Sequence, residues 1–588
     1  MPNFSLRARS LPISVSAGLA LLCAAALPSA LAQKPAAPAQ KLPPLVETMT
    51  GELSRAMTSL GKQGDDKQLP PYFLSYSVAD ANQVELDAQF GALVNSSSNR
   101  ERVVDVQIRV GDPKLDNTHN THRASAIYSA ALPLTDDHTA TARALWAATN
   151  SGYGRAMDSF LQVKTEAQVR AKEEDNSGDF STEPAQVSIA KPAPTPVVDR
   201  AAWEARIRSL SRVFREFPDV LQNSVQLSAT SETDYFVSSE GSRLVTAHQS
   251  ARLVIVAVTR AEDGMDLFRD QTFEAETIDG LPSQKELEAT ARELGKSLAA
   301  LRAAPLTEPF NGPAILSGRA AAVFFHEVLG HRLEGQRQRG DEEGQTFTKE
   351  INKPVLPDFL SVSDDPTLAK FGKTWLSGTY DFDDEGQKAR RVDLIQDGIL
   401  KTFLMSRLPI ASFANSNGHG RGETGRMPNG RQGNLIVSSK HTVADSELRR
   451  LLIEEAKKQN KPYGLYFEDI SSGFAVTTRN SPQAFQVIPL VVYRIYTDGR
   501  PDELVRGVAL VGTPLAAMKR IAVTGDTPEV FNGICGAESG SVPVSAVAPA
   551  MLLTEMETQR QPSGTERPPI LPAPKDGDTS APAAGKVN

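Results

Sequence analysis

Between Ala320 and Gly335 the chain reads AAAVFFHEVLGHRLEG, in which an apolar run, Ala320 to Phe325, leads into His326, Glu327 and His331 within six residues. No other stretch restricts the fold as strongly, because the run is suited to a buried helix and brings titratable side chains into the core with it. Neutral imidazole is the commonest transition-metal ligand, and a glutamate beside the first histidine can take a proton from a metal-activated water. The spacing is unusual. In H-E-x-x-H the two histidines stand four apart on one helix face, whereas here they stand five apart. At about 100° per residue that is an offset of roughly 140° on a regular helix, so the helix must end or bulge near Leu329 and Gly330. Glycine tolerates the dihedrals such a break requires, and single-turn bulges are frequent at functional sites. Two histidines and a glutamate also occur on core helices with no metal, so the rest of a site has to be found elsewhere in the chain.

With 588 residues the chain exceeds what one hydrophobic core supports, and two or more domains are expected. Hydrophobic residues make up 40%, charged residues 23%, and the formal charge is -8. Scattered Lys and Arg among a majority of acids give no nucleic-acid footprint. At the N-terminus Arg7 and Arg9 precede an apolar stretch from about Leu11 to Leu27, and Ser29-Ala30-Leu31-Ala32 supplies small residues before Gln33. This is the pattern of a secretory signal peptide over residues 1–32, cleaved after Ala32. It implies an exported protein, periplasmic in a Gram-negative source, with no stable membrane span after cleavage. A retained anchor is the alternative, but the apolar core is short for spanning. Cleavage removes Cys23 and leaves Cys535 alone. In an oxidising compartment an odd cysteine has two good explanations, burial as a small hydrophobe or ligation of a metal.

An α+β architecture is expected. After a flexible Pro- and Ala-rich leader over 33–45, an N-terminal α/β domain spans 46–305 with an antiparallel sheet and helices, interrupted by an exposed linker at about 173–198. Ser239-Glu240-Gly241-Ser242 reads as a hairpin turn, and 281–304 as a helix burying Leu287, Ala291, Leu294 and Leu298. A boundary near Pro305 to Pro313 leads into a β-rich C-terminal domain over 306–558 that carries the metal-binding helix. Asp397-Gly398 marks a hairpin there, and 559–588 reads as a disordered tail. Gly420–Gly425 matches G-x-G-x-x-G but lacks the strand and helix that a dinucleotide cradle needs. His119 and His122 fall in a polar, loop-like stretch.

For a third ligand the residues leave two candidates, Glu334, three positions past His331, and Cys535, which is bracketed by Gly533 and Gly536. Zinc accepts either. HEVLGHRLEG, then YDFDDEGQKARRVDLIQDGILKTFLMSR, SNGHGRGETGRMPNGRQGNLIV and NGICGAESGSVPVSAVAPAMLLTEM together resemble the successive blocks of the TldD/PmbA family of zinc metallopeptidases. The resemblance covers about 200–558. It implies one zinc per chain on His326, His331 and Cys535, with Glu327 as catalytic base and Glu334 orienting a ligand imidazole. His419 and Arg431, both in the Gly-rich block, are candidates for the oxyanion donor or for substrate contacts. It further implies unfolded or short peptides as substrates, and a dimer or a heteromer with a paralogous subunit. Because the motif is complete, the chain is similar to the catalytic subunit. The better-known members lack a signal peptide. A non-catalytic exported assembly or binding protein with a structural zinc is the alternative, and an amidase acting on cell-wall peptides a further one.

Overall fold

The computed structural model describes residues 42–574 apart from 63–67, 120–124, 167–174, 340–343, 476, 479–484, 562–563 and 565. The signal segment therefore lies outside the described residues, as do most of the leader and the last part of the tail. The described residues from Pro43 onward form one compact unit, and its architecture is α+β with two large sheets.

Alternating apolar and polar residues between 71 and 275 build the first sheet. Strands Pro71–Gln89 and Ala92–Asp112 pair antiparallel around a tight turn in which Phe90 and Gly91 both take positive φ (47° and 85°). Pro71–Gln89 also pairs with Gln222–Ser238, and that strand pairs with Arg243–Arg260 through the Ser239–Ser242 turn, where Gly241 has φ 102°. Asp266–Ala275 closes this edge. Helix Gln284–Ala303 starts with a capping box between Ser283 and Glu286 and buries the expected face, Leu287, Ala291, Leu294 and Leu298. Among the described residues, no helix is long and apolar enough to cross a membrane, which says nothing of β-barrels.

The second sheet is mixed and is built from residues 310–560. Its spine is Gly540–Arg560, which pairs antiparallel with Ile521–Ala537 and Phe310–Leu316 and parallel with Asn434–Ser439. Tyr463–Ala475 runs parallel to Phe310–Leu316. Between these strands lies helix Gly318–Val328, packed against Gly540–Arg560, Tyr463–Ala475 and Ile521–Ala537. The first residues of this half are β-rich only in part. From Gly330 to about 433 the strands are short and the chain mostly irregular, although Asp397 and Gly398 (φ 49° and 76°) do form a two-residue hairpin turn.

One expectation is overturned. Within residues 173–198, read as exposed linker, Asp179, Phe180 and Ser181 are buried. Polar composition there serves pairing rather than hydration. The Phe180 ring stacks under the guanidiniums of Arg109 and Arg407, and Asp179 receives Arg339 and His119. Only the stretch from about 182 onward is largely exposed. At the other end, the last strand runs on to Arg560, and Glu566 pairs with Arg260 at 2.7 Å.

Candidate metal centre

The α-helix ends at Val328, Leu329 caps it, and Gly330–Leu333 tightens into a 3-10 turn. That change of pitch is what the five-residue spacing requires, since it turns His331 back over His326, ring centres 5.0 Å apart. Glycine is needed at 330 for space. A Cβ there would fall 2.0 Å from Oε1 of Gln432, whose Nε2 in turn donates to the carbonyl of His326. The buried Arg332 closes the helix end by donating to the Glu327 and Val328 carbonyls at 3.3 and 3.1 Å.

Across from the turn, strand Ile521–Ala537 brings in Cys535. Its Sγ lies 3.2 Å from His326 Nε2 and 3.4 Å from His331 Nε2, and all three side chains are buried. Around a tetrahedral zinc, N and S ligands at their usual bond lengths stand about 3.6 Å apart. The three donors therefore fit such an ion with a few tenths of an ångström of adjustment. Among the described residues the cluster offers three protein donors. Glu327 sits outside it, Oε2 3.8 Å from His331 Nε2.

Burial opposes ionisation of the Cys535 thiol, yet the two imidazoles outweigh it and hold its pKa well below the ordinary value. Glu334 is fully buried. Oε1 accepts from His331 Nδ1 at 3.0 Å, Oε2 accepts from Arg337 Nε at 2.7 Å, and Arg431 Nε lies 3.5 Å away. Burial alone would raise this carboxyl, but His331, Arg337 and Arg431 bring it down to about 2. Both oxygens are thus occupied, and the bond to Nδ1 directs Nε2 of His331 toward the cluster. Nδ1 of His326, by contrast, is buried with no hydrogen-bond partner among the described residues.

The cluster opens on a cavity of about 1040 Å³. Arg319, Val323, His326 and Glu327 form one stripe of the helix along its floor, and residues 471–475 and 531–538 line two sides. Gly473 is pressed on the catalytic-base candidate, for a Cβ there would lie 2.8 Å from Glu327 Cγ. Two residues offered from sequence as donors or substrate contacts stand back from this space. Arg431 is wholly buried and holds Ile521–Ala537 in place, donating to the Cys535 carbonyl at 2.7 Å, to Ser539 Oγ at 2.8 Å and to the Gly540 carbonyl at 3.0 Å. His419 is corrected outright. Its ring has no exposed surface, Nε2 lies 3.3 Å from Asp364 Oδ1 and Nδ1 3.2 Å from the Asn417 carbonyl, so it braces a loop and does not line the cavity. His119 pairs with Asp179 at 2.8 Å, and His122 lies outside the described residues.

Sequence reasoning missed the wall contributed by the first sheet, Arg252, Asp270 and Thr272. It also missed a second ligand-like group, Glu232, Asp234 and His248. That one was recoverable, because the Ser239–Ser242 turn fixes the register and sets Glu232 directly opposite His248. The exposed His248 ring stands 3.6 Å from each carboxylate, and Glu232 and Asp234 raise its pKa to about 9.

Fold and donor set together define a candidate metalloprotein with its metal helix laid along a cavity floor. Residues 310–560 match the PmbA/TldA metallopeptidase C-terminal domain, a match that supports placing the chain with the TldD/PmbA family. It is similar to a metalloprotease of Archaeoglobus fulgidus, 29% identical over 239 residues, 40% of this chain and 51% of that protein. It is also similar to the zinc metalloprotease TldD homolog of Saccharolobus solfataricus, 24% identical over 250 residues, 42% of this chain and 51% of the relative. The chain spans about half the length of the curated relatives it matches first. In fold it is similar to TldE from Thermococcus kodakarensis, with a TM-score of 0.55 at 11% identity, covering 87% of this chain and 100% of that one.

Proposed function

We propose that the protein is an exported zinc-dependent peptidase acting on unfolded or short peptides, and that it works as a dimer or beside a paralogous subunit. The observation that carries the reading is the Glu327 carboxylate, outside the three-donor cluster but 3.8 Å from His331 Nε2 at its rim and facing the cavity. A purely structural zinc would be closed by a fourth protein ligand. His326, His331 and Cys535 would hold the ion, which when bound supplies Lewis acidity to water and to a peptide carbonyl. Glu327 accepts the proton of the attacking water and returns it to the leaving amine. Glu334 keeps the His331 imidazole in the required tautomer, and Arg431 fixes the backbone at Cys535.

Strand addition gives such a site low sequence preference. Tyr463–Ala475 pairs with Phe485–Tyr496 along one side, but on the other side Phe310–Leu316 covers only Leu465–Phe467. The edge from 471 to 475 faces the cavity beside Glu327, where an extended peptide can align its main chain. Export is supported by the charged, apolar and small-residue order of residues 1–32. Glu327→Gln is the test: it should retain one zinc per chain, measured by elemental analysis, and lose chelator-sensitive cleavage of an unfolded substrate. Unchanged turnover would remove Glu327 as base.

A further inference from the structure

Almost every charged side chain lining the cavity has a partner: Arg337 holds Glu334 and Glu538, Arg319 holds Asp469, and Arg252 holds Glu274. Two do not. On Asp266–Ala275, the Oδ1 of Asp270 is buried and accepts no hydrogen bond, and no ion pair reaches the carboxylate among the described residues. Arg319, Arg269 and Arg252 are near enough to act on it through space, but burial and Asp469 prevail and raise its pKa. On the loop 422–428, Arg426 is exposed to the cavity, and its guanidinium forms no hydrogen bond or ion pair among the described residues.

These unpartnered charges are of opposite sign and lie on opposite sides of the metal cluster. Strand Ile521–Ala537 serves as a ruler. Asp270 neighbours Arg319, whose guanidinium lies 5.2 Å from the centre of the Phe531 ring. From Phe531 to Cys535 is ~13 Å at the usual strand rise. Beyond Cys535, Ala537 pairs with Gly540, where a Cβ would stand 3.2 Å from Cγ of Arg426. That adds ~7 Å. The stretch of strand beside the anion and the stretch beside the cation are therefore about 20 Å apart, the length of roughly six extended residues, with Cys535 between them.

We propose that Asp270 and Arg426 anchor the two ends of a short peptide, Asp270 taking the α-ammonium and Arg426 the α-carboxylate, so that substrate crosses the metal centre in one direction. The proposal rests on the peptidase reading and narrows it to free peptides of about this length. A guanidinium matches a carboxylate in two-pronged fashion, and the reverse orientation would set like charges together at both ends. Long unfolded chains, whose termini lie elsewhere, gain nothing from either anchor.

Calorimetric titration of zinc-loaded Glu327→Gln with a hexapeptide tests binding apart from turnover. N-acetylation or C-amidation should each weaken binding about tenfold. Acetylation should have no further effect in an added Asp270→Asn background, nor amidation in Arg426→Gln, with zinc content and melting temperature unchanged in both. No binding, equal binding of free and blocked peptides, or blocking effects that persist in the variants would overturn the anchors. Terminus-dependent binding without any wild-type cleavage would leave the anchors standing and remove the peptidase reading instead.

Discussion

Replacing Glu334 by glutamine preserves volume and one acceptor oxygen but removes the charge on which three cationic partners converge. In the wild type the carboxylate is wholly buried, 3.0 Å from His331 Nδ1, 2.7 Å from Arg337 Nε and 3.5 Å from Arg431 Nε. A pKa of about 2 against an ordinary 4.5 corresponds to about 3 kcal/mol of stability in the metal-free protein. The folded value is depressed, so this contribution is complete above pH 4.5 and is lost as pH falls toward 2. The glutamine amide must also point its NH2 at one donor, leaving that donor buried and unpaired, which agrees with the roughly 3–5 kcal/mol cost of breaking a buried ion pair. The expected result is an apo-protein destabilised by about 3 kcal/mol and a zinc affinity lowered by one to two orders of magnitude. Denaturant unfolding of the metal-free protein measures the first, and competition against a chromophoric chelator the second. Wild-type values in both would show that Glu334 neither orients His331 nor neutralises Arg337 and Arg431.

Two other substitutions probe the same architecture from a distance. Gly330→Ala touches no ligand, yet its Cβ must displace a Gln432 atom only 2.0 Å away; a loss of about 1–3 kcal/mol is expected from overpacking, with weaker zinc binding in the same chelator competition. If both quantities stay at wild-type levels, Gln432 is not holding the end of the helix. Glu385 sits between the sheets, where burial, only partly offset by the Arg407 amide and by the charges of Arg407 and Arg109, raises its pKa from 4.5 to about 7. Because the folded value is raised, stability is full below pH 4.5 and declines as pH rises through 7, by about 3 kcal/mol. Glu385→Gln should flatten that decline and melt higher than wild type at pH 8; an unaltered pH profile would count against the assignment.

Local features of the chain announced themselves through local physics. The apolar face of the helix Gln284–Ala303, the positive dihedrals at Gly241 and Gly398 and the apolar run before His326 each follow from a few neighbouring residues, and each stands where spacing and composition put it. The position of Cys535 beside two imidazoles some 200 residues earlier depends on strand pairing across the whole second sheet, which no local pattern specifies. Polar composition misled in both directions. Asp179 and Ser181 looked solvated because acids and serines mark loops, but buried arginines need buried acceptors: Arg339 takes the Asp179 carboxylate and Arg407 the Ser181 backbone carbonyl. His419 looked like site chemistry because it lies with Arg431 in the Gly-rich block of the resemblance, yet in an irregular segment its ring braces the chain through Asp364 and the Asn417 carbonyl. The same logic separates Arg431 from Arg426. Both are arginines in one block, but Arg431 is enclosed by the carbonyls of Cys535 and Gly540, and only Arg426 has its charge left to offer to a ligand.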